Sequence, residues 1–382
     1  MIRSTLLLAI VVLTLGLSPD PAAGAAGSSG QTHQIIREVW PVGPTTAWVW
    51  TQNDQSGWPQ GFVRTTDGGA RWADATPTTL RARRADRSIT GSFALDAQHA
   101  WLVYGAITFD APQSIISTSD GGRRWSVVGQ APVRFGCNLQ FVTPLIGWCV
   151  EIGGGMGSEG VTIYRTDDGG ASWRLLSMTG PSSGSPGSLP FGCDKQIGFV
   201  TATMGWSPFN CAGGVSPLYE TSDGGATWSE VALTPPTGVG SGDESYGYFS
   251  DPPVVSGNRG AAGFTINSPD RRTTGVYQST DGGASWHFVV PPGPPRGWSV
   301  DVVTPMEWRL VAGHRLLSTD DAGMHWRVIT ADVNLEPLDD GALFPATAID
   351  FVTTKVGWVV GKRLWRTTDG GSRWRTLRVP SA

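Results

Sequence analysis

Charged residues are scarce in this 382-residue chain, at 16%, and they leave a formal net charge of −4. Proteins that hold nucleic acid by its phosphates are usually basic, so we expect no nucleic-acid partner. Histidine is equally sparse, and the five histidines lack the spacing of metal ligands: His33, His99, His287, His314 and His325. No glycine-rich phosphate loop precedes a helical pattern. We therefore predict no metal and no cofactor.

Long apolar runs are missing except at the start, where TLLLAIVVLTLGLS follows MIRS and precedes Ala23-Gly24-Ala25. This order and length are typical of a secretory signal peptide over residues 1–25, followed by a flexible leader over residues 26–32. A retained N-terminal helix is the alternative. After cleavage we expect no stable membrane insertion and a secreted, periplasmic or cell-surface protein.

Helical periodicity is also missing, while 52 glycines and 27 prolines favour many short strands. One nine-residue pattern recurs: RTTDGGARW begins at Arg64 and RTTDGGSRW at Arg366. We call each copy, from its Ser or Thr to its tryptophan, a box. Seven boxes lie 40 to 58 residues apart, a period typical of propellers or solenoids. The box aspartates and tryptophans are Asp67, Trp72, Asp120, Trp125, Asp168, Trp173, Asp223, Trp228, Asp281, Trp286, Asp321, Trp326, Asp369 and Trp374.

Upstream of six boxes lies a tryptophan preceded by a small residue, or a close variant of this pair, as in IGWCV and MEWRL. The fifth repeat has RGAAGF instead. The last repeat indicates four strands, A to D, in AIDFVT, VGWVVG, RLWRTTD and SRWRTLRV. Asp-Gly-Gly predicts the C–D hairpin, because glycine adopts the positive φ of tight turns. We expect the box tryptophan in a buried slot on strand D. The fold prediction is all-β, a seven-bladed β-propeller of four-stranded antiparallel blades over residues 33–382.

The four cysteines fit the same strand plan. Cys137 and Cys193 each end an FGC tripeptide before a strand A, and Cys149 and Cys211 follow on or after strand B. Adjacent antiparallel strands bring such positions within bridging distance, which favours Cys137–Cys149 and Cys193–Cys211. A Cys137–Cys193 link between repeats is the competing pairing.

The boxes resemble the Asp-box, or BNR, repeat with the pattern S/T-x-D-x-G-x-x-W, which Thr65 to Trp72 matches in full. The regular G-W and T-D-G-G-x-x-W marks are most similar to photosystem II stability/assembly factor-type propellers of the sialidase superfamily. This resemblance implies a propeller scaffold, since the repeat occurs in enzymes and receptors alike. A role in photosynthetic assembly would require a photosynthetic host. The arginine motif of sialidases is absent, because Arg37 is followed by Glu-Val.

The strand plan places every box at one end of the sheets, beside the short A–B turns. The D–A and B–C connections, such as RARRADRS and EIGGGMGSEG, lie at the other, which we call the loop-rich end. Binding residues concentrate on long loops of rigid scaffolds. The candidate binding residues are Arg81, Arg83, Arg84, Arg87, Phe135, Phe191, Tyr246, Tyr248 and Trp298.

We expect a monomeric, non-catalytic scaffold that binds a protein or glycan through the loop-rich end, with no catalytic residue assigned. The alternative is a secreted glycoside hydrolase, sialidase-like or polysaccharide-cleaving, which needs two carboxylates flanking the scissile bond. The carboxylates considered are Glu151, Asp243, Glu244, Asp301 and Asp350. Asp301 and Asp350 occupy equivalent strand-A positions, which favours a structural role for both.

Overall fold

The structure of the chain is a computed structural model. It describes residues 34–53, 59–81, 87–106, 112–133, 136–154, 158–211, 216–234, 236, 246–267, 272–292, 299–312, 314–335, 348–360 and 363–380. The predicted signal peptide and leader lie outside these residues. Within them, no helix has the length and apolarity that crossing a bilayer requires.

Four-stranded antiparallel sheets form most of the described chain, one for each of repeats 1, 2, 6 and 7. Repeat 1 comprises β1 (Gln34–Pro41), β2 (Ala47–Asn53), β3 (Pro59–Thr65) and β4 (Ala73–Asp74). A one-turn helix, α1 (Thr78–Arg81), follows β4, although the sequence indicated no helix. Repeat 2 comprises β5 (Arg87–Ala94), β6 (Ala100–Ala106), β7 (Gln113–Thr118) and β8 (Ser126–Gln130).

Repeats 3 and 4 add short strands to this plan. Repeat 3 comprises β9 (Asn138–Phe141), β10 (Gly147–Gly153), β11 (Gly160–Thr166), β12 (Arg174–Gly180) and a fifth strand, β13 (Ser183–Gly184). In repeat 4, β14 (Asp194–Lys195) and β15 (Gly198–Phe199) both pair with β16 (Gly205–Asn210), as a divided strand A. Strands β17 (Leu218–Thr221) and β18 (Ser229–Leu233) complete repeat 4.

Repeat 5 also has a divided strand A. It comprises β19 (Tyr246–Phe249), β20 (Val254–Ser256), β21 (Arg259–Asn267), β22 (Arg272–Ser279) and β23 (Ser285–Val289). Repeat 6 comprises β24 (Ser299–Val302), β25 (Trp308–Ala312), β26 (Arg315–Thr319) and β27 (Arg327–Thr330). Repeat 7 comprises β28 (Ala348–Phe351), β29 (Gly357–Val360), β30 (Leu364–Thr367) and β31 (Arg375–Leu377).

Repeats 4 and 5 differ from the prediction of separate sheets. Their outer strands, β18 and β23, pair in parallel at Ala232↔Ser285 and Leu233↔Trp286, which joins the two repeats into one ten-stranded sheet. The Thr234 amide continues this contact by donating to the carbonyl of Trp286 at 2.9 Å. The two residue pairs add backbone hydrogen bonds along the edge strands of both repeats.

Every box closes its turn with the same hydrogen bonds. In repeat 1, the Thr65 hydroxyl donates to Asp67 Oδ1 at 2.9 Å and accepts from the Gly69 amide at 2.8 Å. Asp67 Oδ1 also accepts from the Arg71 amide at 2.8 Å. The two box glycines have φ of 72° and 84°, as predicted for this hairpin. Repeat 6 differs in placing Ala322 at φ 59° where the other boxes have glycine.

Each box is also attached to the A–B turn of its own repeat. In repeat 3, the Gly169 amide donates to the carbonyl of Leu145 at 2.9 Å, and the other six repeats make the equivalent bond at 2.7–3.0 Å. The two turns therefore lie side by side at one end of every sheet. This confirms the strand plan that places the boxes together, and we call this end the box end.

The box tryptophans are less buried, and placed earlier, than predicted. Only Trp286 lies within its strand D; the other six immediately precede theirs. Trp228, Trp286 and Trp374 are buried, while the remaining four are half-buried. In five boxes the indole turns back over its own box, and these include all three buried tryptophans: the Trp374 indole N–H donates to the Gly371 carbonyl at 2.8 Å, and four other boxes have the same contact.

The tryptophan of MEWRL lies at a different register position from the tryptophans of the other strand-B marks. In repeat 7, Gly357 pairs with the box Thr367 and Trp358 follows it. In repeat 6, Trp308 itself pairs with the box Thr319, so Arg309 occupies the position that tryptophan has in repeat 7. Arg309 is fully buried, stacks over Phe351 at 5.4 Å, and donates to the Thr354 carbonyl at 3.1 Å. The side chain of strand B at this position thus joins repeat 6 to repeat 7.

Seven apolar clusters lie between successive repeats. The seventh packs β1 and β2 of repeat 1, through Val39 and Val49, on Trp358, Leu364 and Leu377 of repeat 7. The first and last sheets therefore contact each other although neither contributes a strand to the other.

Arginines near the box end strengthen several of these interfaces. Arg366 of repeat 7 donates to the Pro44 carbonyl in the A–B turn of repeat 1 at 2.7 Å, and its guanidinium lies 5.3 Å from the Trp358 ring. Arg64 and Arg165 occupy the equivalent position and contact Ala97 and Ala202 in the next repeat. Guanidinium groups suit this place because they stack on indole and donate from the edge.

Two disulfides link the predicted pairs. Cys137 is bonded to Cys149 with a Cα–Cα distance of 5.3 Å, and Cys193 to Cys211 with 4.7 Å. Each bridge joins the residue before a strand A to strand B of the same repeat or the residue after it. The competing Cys137–Cys193 link is excluded. Disulfides are typical of proteins in oxidising compartments.

The hydrogen bonds of the box predict that two neighbouring aspartates of repeat 6 contribute unequally to stability. Asp321 accepts the His325 amide and holds the His325 ring at 2.6 Å, which lowers its pKa to about 2, whereas Asp320 makes one exposed contact of 3.5 Å with Arg327. We expect Asp321→Ala to lower the melting temperature at pH 7 by about 2 °C or more, and Asp320→Ala to leave it within about 1 °C.

The pH dependence follows from the lowered pKa of Asp321, which shifts from 3.8 to about 2. Its contribution is present above pH 4 and is lost as the pH falls toward 2. Thermal unfolding of both variants between pH 2 and pH 7 measures this. Equal melting temperatures for the two variants at pH 7 would contradict the structural role of the box aspartate.

Candidate functional site

Phe191 lies at the loop-rich end, on a corner that precedes strand A of repeat 4. Its side chain is 41% exposed, whereas Leu189, two residues earlier, is buried against repeat 4. Gly192 and Cys193 follow it with φ of 97° and 52°, so the chain turns sharply here. The Cys193–Cys211 disulfide then fixes the corner to the end of β16. The corner therefore presents an aromatic ring to solvent from a covalently constrained backbone.

A buried lysine, Lys195, donates hydrogen bonds to the backbone of the same corner. The Lys195 ammonium donates to the carbonyls of Glu159 at 3.0 Å and Cys193 at 3.1 Å, and also to that of Gly192. Glu159 Oε2 accepts from the Lys195 amide at 2.8 Å. Burial lowers the pKa of Lys195 and raises that of Glu159, and each charge partly offsets the shift of the other. The end of the B–C connection of repeat 3 is thereby attached to the corner of Phe191.

Tyr248 lies on β19, the next strand A, and is half-buried. Its neighbours are held by repeat 4: Asn210 Oδ1 accepts the Phe249 amide at 3.0 Å, and Gln196 donates to the Ser250 carbonyl at 3.3 Å. The structure therefore places Phe191 just before strand A of repeat 4 and Tyr248 on strand A of repeat 5. Of Tyr246, only the backbone, at the first residue of β19, is described.

The basic loop of repeat 1 is described only at its edges. Arg81 ends α1 and forms an exposed ion pair with Asp74 at 2.6 Å. It is therefore already paired with a carboxylate rather than available as an isolated cation. Arg87 begins β5, and only its backbone is described. Arg83, Arg84, Phe135 and Trp298 lie outside the described residues.

The carboxylates considered for glycosidase chemistry divide by environment. Asp301 is buried, lies opposite Arg309, and accepts the Phe351 amide at 2.7 Å, so it joins strand A of repeats 6 and 7. Asp350 lies opposite Trp358, at the same register position in repeat 7. Glu151 is half-buried at the loop-rich end of β10, and burial raises its pKa. Asp243 and Glu244 lie outside the described residues, and among the described ones no group of three His, Cys, Asp or Glu forms a metal site.

Sequence reasoning missed Glu38, which is buried on β1. Its Oε2 accepts the Ser92 hydroxyl of β5 at 2.7 Å, so it joins strand A of repeats 1 and 2. Burial raises its pKa to about 7, against the lowering effects of Ser92 and Arg37. The signal in the sequence was one acidic residue inside QIIREVW, where it lies next to Val39 and Trp40 in the predicted strand A.

Comparisons with known proteins support a β-propeller fold. A solved structure described as YCF48 bound to D1 peptide superimposes with a TM-score of 0.52 and 18% identity, covering 88% of this chain and 94% of that one. The likeness extends over nearly the whole of both chains. At this identity it shows the fold alone: a β-propeller built of four-stranded antiparallel sheets.

Two curated relatives are enzymes. Xyloglucanase Xgh74A of Acetivibrio thermocellus is 24% identical over 249 residues, which is 56% of this chain and 28% of that protein. A xyloglucanase of a Paenibacillus species is 27% identical over 257 residues, which is 56% of this chain and 23% of that protein. The chain spans about a quarter of the length of these relatives. No family model matches the chain.

The raised pKa of the buried Glu38 predicts that its contribution to stability decreases as the pH rises. Because its pKa is about 7 in the folded protein, against an ordinary value of 4.5, the folded protein holds an extra proton between these two pH values. The contribution of Glu38 to stability is therefore greatest below pH 4.5, decreases up to about pH 7, and is constant above. We expect Glu38→Gln, which keeps an acceptor for Ser92, to raise the melting temperature at pH 8 and leave it unchanged at pH 4.

Thermal unfolding from pH 4 to pH 8 measures this difference. The matched control is Glu230→Gln, a carboxylate on an outer strand, for which we expect no comparable trend. A Glu38→Gln variant that is equally destabilised at both pH values would show that the protonation state of Glu38 does not affect stability, and would contradict the raised pKa.

Proposed function

We propose that this chain is an exported, seven-bladed Asp-box propeller that binds a protein or glycan through its loop-rich end and catalyses no reaction. The proposed domain spans residues 33–382 after a signal peptide of residues 1–25. Repeats 4 and 5 count as two blades in this proposal, since each has its own strands A to D and its own box. The seven apolar clusters, one for each pair of successive repeats, support the count.

The observation that carries the binding proposal is the exposed ring of Phe191 on its constrained corner. An aromatic side chain in solvent contributes apolar area to a complex, and a fixed backbone reduces the entropy that binding would otherwise lose. The disulfide, Lys195 and Glu159 provide that fixation. Aromatic faces stack on sugar rings and on peptide side chains alike. The neighbour described as bound to a D1 peptide and the xyloglucanase relatives are precedents for the two ligand classes.

The proposal of no catalysis rests on the hydrogen bonds that the carboxylates of strand A make. Asp301 and Glu38 each accept a hydrogen bond from the neighbouring repeat, so both have a structural task. Hydrolysis of a glycosidic bond needs an acid and a second carboxylate on the two sides of the bond. The xyloglucanase relatives favour a polysaccharide-cleaving enzyme as the second candidate. In that case, Glu151, whose pKa burial raises and which lies at the loop-rich end of β10, is a candidate for the acid.

A binding screen with chromogenic substrates tests these alternatives. Mature protein is applied to a glycan array and a peptide array, and incubated with aryl glycosides and xyloglucan. We expect a ligand on one array and no release of chromophore or reducing sugar. Phe191→Ala should weaken binding of that ligand by about tenfold.

Met324→Ala is the matched control, because Met324 is 73% exposed but lies in the box of repeat 6, at the opposite end. We expect it to bind as the unmodified protein does, with both variants keeping the same melting temperature. Hydrolysis of xyloglucan that Glu151→Gln abolishes would instead establish the enzyme.

A further inference from the structure

The residue before the box tryptophan differs between two groups of repeats. In repeats 3 to 6 it is Ser172, Thr227, Ser285 or His325, and its side chain contacts the second oxygen of the box aspartate. The distances are 2.5 Å, 2.7 Å, 2.6 Å and 2.6 Å. A short polar side chain at this position therefore completes the box, and it lowers the pKa of Asp168 and Asp281 to about 2.

In repeats 7, 1 and 2 the same position holds Arg373, Arg71 and Arg124. These repeats are successive, because the sheet of repeat 7 packs on that of repeat 1. All three arginines are exposed. Arg124 is 91% exposed, and its Nε lies 3.8 Å from Asp120 Oδ2, beyond hydrogen-bonding distance. Here the box has an exposed arginine, whose charge helps to lower the pKa of the box aspartate, in place of the residue that would complete its hydrogen bonds.

Further cations lie at the box end of the same three repeats. Arg123 precedes Arg124, and Lys355 lies in the A–B turn of repeat 7; both are exposed. Burial first, and the charge of Arg123 second, lower the pKa of Arg64. Arg123 thus lies close enough to Arg64 to affect it, and the charge of Asp120 offsets part of this repulsion. An anionic ligand would offset that repulsion.

The boxes and A–B turns of repeats 7, 1 and 2 also contain Asp67, Asp96, Asp120 and Asp369, so their five cations leave a net charge of +1, whereas the rest of the box end is acidic. The boxes of repeats 4 and 5 contain Asp223 and Asp281 and no arginine or lysine, and repeats 3 and 6 have paired acids, Asp167-Asp168 and Asp320-Asp321. The box end is therefore divided into a cationic arc over repeats 7, 1 and 2 and an acidic remainder. We define the cationic arc by Arg71, Arg123, Arg124, Arg373 and Lys355.

We infer that the cationic arc binds a linear anionic polysaccharide through its carboxylate or sulfate groups. Guanidinium groups pair with both anions through two parallel hydrogen bonds. One arginine per repeat on three successive repeats matches a polymer that carries its charge at intervals. The site lies at the opposite end from Phe191 and does not depend on the function proposed above.

Two other polyanions fit the arc less well. Duplex nucleic acid has a charge about every 1.7 Å, and a stiff duplex extending past three repeats would meet the acidic remainder. A membrane surface is usually held by apolar side chains as well as charge. Of the described large apolar side chains that are exposed, none lies in the boxes or A–B turns of repeats 7, 1 and 2.

The test replaces the three arginines by the residue that other boxes have. Arg71→Ser, Arg124→Ser and Arg373→Ser are combined in one variant of the mature protein, which we expect to be at least as stable as the parent because serine contacts the box aspartate. Calorimetric titration with polygalacturonate and with dextran sulfate should show binding by the parent that weakens as sodium chloride rises. The variant should bind at least about tenfold more weakly.

The matched control removes the same charge from strands β12, β26 and β27 of repeats 3 and 6, as Arg174→Ser, Arg315→Ser and Arg327→Ser in one variant. It should bind as the parent does, and neutral dextran should bind to none of the proteins. The two polymers distinguish carboxylate from sulfate recognition.

Four results would overturn the inference. The first is that the parent binds neither polymer at low ionic strength. The second is that the arginine variant and the control variant bind the polymers equally weakly. The third and fourth are that the parent binds duplex DNA, or vesicles of phosphatidylcholine and phosphatidylglycerol, more tightly than it binds either polysaccharide. The first result would show that the cationic arc does not bind anionic polysaccharide. The second would show that binding depends on the net charge of the protein and not on the position of the three arginines.

Discussion

The structure depends on one repeated contact, the hydrogen-bonded closure of the box. A threonine or serine hydroxyl at the end of strand C binds the box aspartate and the second box glycine, and the aspartate accepts the amide before the tryptophan. The first amide of the turn then donates to the A–B turn of the same repeat. All four strands are thereby fixed at one end by a short segment of chain. Since a single small sheet is marginally stable alone, this fixation matters before packing can contribute.

Packing between repeats uses side chains that the boxes hold in place. Trp148 of repeat 3 stacks on Phe199 of repeat 4 with ring centroids 3.8 Å apart, and its indole donates to the Gly224 carbonyl in the box of repeat 4 at 2.8 Å. On the inner strands, Gln140 exchanges two hydrogen bonds with the backbone of Phe199, each of 2.9 Å. Polar residues of strand A are therefore part of the interfaces, which explains why acidic residues at these positions need no catalytic role.

The fold could be predicted because its main signals are local. Ser or Thr, Asp, Gly and Trp at fixed spacing specify the turn, and the turn specifies which strands pair. The cysteine pairing followed from the same strand plan. The register of repeat 6 could not be predicted, because Trp308 and Arg309 both fit a half-buried strand and only the pairing with Thr319 separates them. The parallel contact of β18 with β23 arises from the tertiary arrangement of two repeats and has no local signal.

The surroundings of the candidate binding residues could not be predicted from the sequence. Loop-end aromatics were expected, yet the support of Phe191 by Lys195 and Glu159 joins residues 36 positions apart in the chain. Glu38 was missed because a buried carboxylate in an apolar run is ordinarily excluded by its desolvation. The cationic arc was overlooked because the boxes were considered only as turns, while the variable position before the tryptophan differs between repeats. Function can thus reside in the residues that the repeat leaves unspecified.

Amide hydrogen exchange of the seven boxes tests the central claim most directly. If the boxes fix the sheets, the amides bonded to the box threonine and aspartate, such as those of Gly69, Arg71, Gly225 and Thr227, exchange only through cooperative opening and as slowly as the strand amides. Exchange of these amides at the rate of an unstructured turn, with the strands still protected, would show that the sheets are held by packing alone and would contradict this account.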